Sequence, residues 1–86
     1  MKHEEKIQLL LDNGFQIIEI KDQGRIIFKQ KDSGDHHVRY TVDELIVKIM
    51  DREQIEQAIK EVNEYLEQAM IDYLEKVAEG RANEFN

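Results

Sequence analysis

The stretch DREQIEQAIKEVNEYLEQAMIDYLEKVAEG, residues 51–80, decides how this chain of 86 residues is read. It contains no proline. Its apolar residues recur at Ile55, Ala58, Ile59, Val62, Tyr65, Leu66, Ala69, Met70, Tyr73, Leu74 and Val77. Steps of three and four trace one face of an α-helix. Asp51 reads as the N-cap, because its carboxylate can accept a free backbone N–H, with Gln54 three residues on as the reciprocal partner. Gly80 reads as the stop, since glycine enters the left-handed cap conformation without a Cβ clash. At about 1.5 Å per residue the helix is roughly 40 Å long.

Working back from Asp51, Thr41-Val42-Asp43-Glu44 matches the S/T-x-x-E capping box. It opens a short helix ending near Met50, with Leu45, Ile46, Ile49 and Met50 as its apolar set. Upstream, residues 15–21, 25–31 and 36–42 read as strands, rich in β-branched and aromatic residues. Asp22-Gln23-Gly24 and Asp32-Ser33-Gly34-Asp35 are turn signals between them. Residues 2–13 read as a first helix, with Ile7, Leu10 and Leu11 on one stripe and His3 a turn earlier. Asn13-Gly14 stops it, and Phe15 falls where a Schellman cap packs a hydrophobic residue back on Leu10.

Alternation along the strands predicts two faces. Even positions (Ile18, Ile20, Ile26, Phe28, Val38, Tyr40, Val42) are expected to face the core. Odd positions are expected to face solvent and to carry a basic set, Lys21, Arg25, Lys29, Lys31 and Arg39, with Ile17 and Ile27 between them. The order αβββαα predicts an α+β fold: helix, three-stranded antiparallel meander, short helix and long C-terminal helix, with the helices on one face of the sheet. Residues 1–80 form a single expected domain. Residues 81–86 lack periodicity and are expected to fray.

Composition bounds function more than it names it. Leu, Ile, Val and Phe supply 25 of 86 residues, enough for a core. There is no cysteine, hence no disulfide and no thiolate. The first residues do not read as a signal peptide, and no run of about 18 apolar residues could span a membrane. A cytoplasmic protein without membrane contact is expected. The net charge is −7, and residues 43–86 carry all of it. That balance argues against general binding to nucleic acid or anionic lipid.

Catalytic chemistry is poorly supplied. His36 and His37 are adjacent, so a regular strand points them to opposite faces and they cannot chelate one ion. Ser33 sits in a turn, Thr41 in a cap, and no Ser–His–acid grouping can be read from spacing. No GxxxxGK[ST] or GxGxxG motif occurs, and each glycine is used by a turn or helix end. No enzyme activity, metal or cofactor is expected. In element order alone the chain resembles the double-stranded-RNA-binding domain. That family grips phosphates with basic residues at the start of its last helix. Here the helix starts read Thr41-Val42-Asp43-Glu44 and Asp51-Arg52-Glu53-Gln54, which are net acidic, so the phosphate-binding role does not carry over.

Three functional expectations follow. The leading one is a small non-enzymatic protein-interaction module that binds stoichiometrically and pairs with itself as a homodimer. The long helix should overhang strands of roughly 23 Å. Its apolar stripe widens through Ala69, Met70, Ile71, Tyr73, Leu74, Val77 and Ala78, with Tyr65, Met70, Leu74 and Val77 as the expected self-contact. The alternative uses the acids Glu53, Glu56, Glu61, Glu64, Glu67, Asp72 and Glu75. They rise about 5 Å per three or four residues, comparable to the charge spacing of a nucleic-acid strand. That suggests an acidic, nucleic-acid-mimicking inhibitor of an enzyme such as a nuclease, of the kind phages encode. The third is single-stranded nucleic-acid binding through the basic sheet face.

Overall fold

The computed structural model describes residues 1–84. The elements are α1 (His3–Asp12), β1 (Gln16–Ile20), β2 (Gly24–Ser33), β3 (His36–Asp43), α2 (Glu44–Ile49) and α3 (Arg52–Glu84). The strands form one antiparallel sheet in the order β1-β2-β3. This is the α+β order expected from the sequence.

Two local signals act as read. Helix α1 ends in a Schellman motif: the Gly14 N–H donates to the Leu11 carbonyl at 3.1 Å and the Phe15 N–H to Leu10, also at 3.1 Å. Gly14 takes φ 89°, where a Cβ would clash. Phe15 is thereby folded back beside Leu10 into the core. At the other end of the domain, the Gln54 N–H donates to Asp51 Oδ1 at 2.9 Å and the Asp51 N–H to Gln54 Oε1 at 2.8 Å. This reciprocal box starts α3 afresh after Met50, whose extended backbone (ψ 144°) ends α2.

Three expectations are corrected. The first is the sheet register in β1 and β2. Ile17 pairs with Ile27, and Ile27 with Val42, so these three share a face. Ile27 is fully buried in the cluster with Ile7, Leu10, Phe15, Val47, Ile55, Ile59, Val62 and Leu66. The helix side of the sheet is therefore odd in β1 and β2 and even only in β3. Ile18, Ile26 and Phe28 lie on the opposite face. Phe28 is nonetheless only 6% exposed, because the Arg39 guanidinium lies 4.6 Å above its ring.

The second correction concerns α2. Its cap is Asp43, which accepts from the Leu45 N–H at 2.9 Å, whereas Thr41 stays in β3 opposite Phe28. Strand pairing holds Thr41 extended, and the aspartate two residues on takes the capping role. The third concerns Gly80. Helix α3 passes through it to Glu84, so residues 81–84 are helical where a frayed tail was expected. The remaining two residues of that tail lie outside the described residues. A glycine inside a helix costs about 1 kcal/mol relative to alanine and need not end it. The 33 residues of α3 are thus roughly 50 Å long, in a molecule with a longest extent of 57 Å.

Candidate functional site

Helix α3 sorts its surroundings by angle. Ile55, Ile59, Val62, Leu66 and Met70 are buried and share an arc of about 80° on a helix of 3.6 residues per turn. Beyond Met70 the helix leaves its support. Tyr73 is the last foothold, stacked on His36 at the β2–β3 turn with ring centroids 3.6 Å apart. From there an arm projects, carrying Ile71, Leu74 and Ala78 exposed and Val77 half-buried.

Of the four residues expected at a self-contact, only Leu74 (48% exposed) and Val77 present surface on this arm. Met70 is buried within its own chain at 4%. Tyr65 is exposed, but nine residues make about two and a half turns, so it lies on the opposite side of α3 from Leu74. The expected basic face does not form. Arg25, Lys29 and Lys31 project to the helix side, with Ile27, because they lie at odd positions of β2. Lys21 sits in the β1–β2 turn, and Arg39 alone lies on the outer face.

Two of those cations hold the fold together. The Lys29 ammonium donates to the Asn13 carbonyl at 2.8 Å and to Asn63 Oδ1 at 2.5 Å, tying the end of α1 to α3. Arg25 sits between Glu44 and Glu4, 3.1 Å from Glu4, and its guanidinium is held above its ordinary pKa by Glu44 first and Glu4 second. His3 Nε2 lies 3.7 Å from the same Glu44 carboxylate. This cluster joins α1, β2 and the start of α2. His36 is spent on Tyr73, while His37 Nδ1 bonds Asp32 at 2.6 Å. Among the described residues no three His, Cys, Asp or Glu side chains are placed to hold a metal ion. No helix among them is long and apolar enough to cross a membrane.

The acids named from the sequence are all exposed. Glu53, Glu56, Glu61, Glu64, Glu67, Asp72 and Glu75 occupy an arc of about 160°, centred opposite the buried stripe. From Glu53 to Glu75 they run roughly 33 Å. Within the set, and among the described residues, only Glu56 makes an ion pair, with Arg52 at 3.0 Å.

Sequence reasoning missed a cleft. Helix α2 buries only Val47, and it exposes Leu45 at 68% and Ile49 at 82%. Between α2, α3 and β3 lies a groove of about 320 Å³, floored by Phe15, Val47, Ile55 and Val62 and rimmed by Tyr40, Ile46 and Tyr65. Tyr40 and Tyr65 meet edge to face at 5.8 Å across one end. At the other, Met50, Ala58 and Glu61 lead into a shallower hollow of about 440 Å³ that adds Glu53, Gln54 and Gln57. One signal was available: Leu45, Ile46, Val47 and Ile49 surround a helix of six residues, more apolar surface than one buried face can use.

No family model matches this chain, and neither a curated protein nor a solved structure shows significant similarity to it.

Proposed function

We infer that this chain is a small non-enzymatic interaction module that acts by stoichiometric binding and pairs with a second copy of itself through the arm of α3. The observation that supports this reading is the arm itself. It runs roughly 20 Å past Met70 and presents Ile71, Leu74 and Ala78 to solvent with Val77 half-buried beside them. A helix of that length is marginal in water without a packed face. Two-fold pairing sets the same apolar patch against itself and removes both copies from water. Sedimentation at micromolar concentration tests it. The expected mass is twice the 10.2 kDa of one chain, and Leu74→Glu should restore a single chain that keeps the core fold and loses helicity only in the arm. A wild-type mass that stays at one chain at every concentration overturns the pairing.

A second reading draws on the acidic face of α3. Its roughly 33 Å of exposed carboxylates suits the basic channel of a nucleic-acid enzyme. Equimolar protein would then inhibit a nuclease with such a channel, and the inhibition would fade as salt rises. Full nuclease activity at large molar excess and low salt would reject this reading.

A further inference from the structure

We propose that the groove between α2, α3 and β3 is a docking site for a basic amphipathic helix of another protein. The groove is independent of the arm, since Tyr65 and Leu74 lie on opposite sides of α3.

Shape is the first argument. The floor residues Phe15, Val47, Ile55 and Val62 belong to the core or the wall of α3, and the rim residues Tyr40, Ile46 and Tyr65 stand half out of it. Exposed Leu45 and Ile49 continue the apolar surface over α2. A patch of large side chains around an open cleft is what marks an interaction surface. From Ile55 to Tyr65 the groove follows α3 for roughly 15 Å, nearly three helical turns. That length receives the i, i+3 or i+4, and i+7 anchors of a helix lying alongside.

Charge selects the occupant. The lining includes Glu61, the adjoining hollow adds Glu53, and no basic side chain lines either one. Two turns beyond Tyr65, Asp72 falls on the same side of α3, followed a turn later by Lys76. The whole chain carries −7. A partner with apolar anchors and flanking lysine or arginine is therefore complementary, and steered toward the groove before contact. A second copy fits less well. Its exposed arm is taken up by the self-pairing proposed above, and with Asp72, Glu75 and Glu79 beside Lys76 and Arg81 it is not the cationic helix that Glu53 and Glu61 favour.

The probe is a labelled three-turn peptide with leucines at i, i+3 and i+7 and lysines elsewhere, beside its twin with glutamates for the lysines. Fluorescence polarisation should show saturable one-to-one binding of the basic peptide and at least about tenfold weaker binding of the acidic one. NMR shifts should centre on Tyr40, Ile46, Met50, Ala58 and Tyr65. Ile46→Lys, at a half-exposed position, should keep the fold and weaken the basic peptide about tenfold or more, since it removes an apolar anchor and sets like charges together. Tyr65→Ala supplies a second variant if Ile46→Lys alters the helicity. Leu74→Glu should leave peptide binding unchanged, which separates this site from self-pairing. Equal binding of the two peptides, or none, overturns the proposal. So do shifts confined to Glu56, Glu64 and Glu67, which would indicate simple attraction to the acidic face. If Ile46→Lys halves the sedimenting mass, the groove holds a second copy and the proposal fails.

Discussion

The part of α3 up to Met70 and the part beyond it follow the same periodic pattern but lie in different surroundings. In the first, Ile55, Ile59, Val62, Leu66 and Met70 sink against the sheet and α1 until each is almost fully buried. In the second, Leu74 and Ile71 stay near half exposed. The side chains are alike, and only the neighbours differ. Burial of an apolar residue is a property of what stands opposite it, and α3 outruns the three strands that could stand there. The boundary is the stack of Tyr73 on His36, at the turn where the sheet ends.

Shortening one side chain in each part should separate the two most clearly. Ile55 is fully buried, so Ile55→Ala should lower stability by about 2–5 kcal/mol. Leu74→Ala, measured at concentrations where the chain is single, should change it by less than about 1 kcal/mol. Equal losses in denaturant melts would show that the arm is packed after all. The start of the supported part comes next. Removing the cap with Asp51→Ala should cost about 0.5–2 kcal/mol. A silent change would mean that α2 and α3 behave as one rod through residue 51.

The arm offers a test of opposite sign. Gly80 is helical, and a Cβ placed there meets nothing within 4 Å. Gly80→Ala should therefore stabilise the arm by about 0.4–1 kcal/mol, read as increased helicity and a slightly higher Tm. A loss would mean that Gly80 ends the helix in a left-handed conformation.

The smallest effect lies at the hairpin that carries His36. The hydrogen bond from His37, then that from Gln30, holds the Asp32 carboxyl below its ordinary value. A carboxyl depressed in the folded state stabilises the fold above its unfolded pKa, about 3.9. That contribution disappears as pH falls through the lower folded value. An NMR titration should place the Asp32 midpoint below the ordinary carboxylate range, and His37→Ala should move it upward. Because both side chains are more than half exposed, global stability should respond only weakly.

The misread sheet faces had a remedy in the sequence. Ile17 and Ile18, like Ile26, Ile27 and Phe28, put apolar side chains on both faces of β1 and β2, so alternation alone gives no preference. The Schellman cap breaks the tie. It turns Phe15 toward Leu10, and Phe15 and Ile17, two residues apart, must share a face. The three residues between Ile20 and Gly24 then match Ile17 to Ile27. The expected row of five cations was lost with the register, because Arg25, Lys29 and Lys31 moved with Ile27 to the helix side. The groove was less legible, because the apolar set of α2 reads equally as core until α2 and α3 are placed.

The order of elements, the Gly14–Phe15 stop and the Asp51–Gln54 start were all legible in the chain alone. In the two caps the donor and acceptor lie within six residues, so local geometry suffices. Only the packed fold shows which sheet face meets the helices, that Asp43 rather than Thr41 caps α2, and which apolar side chains remain uncovered. Those outcomes depend on pairing and burial between segments far apart in the chain. The same leucine or lysine is core, tether or surface according to what packs against it.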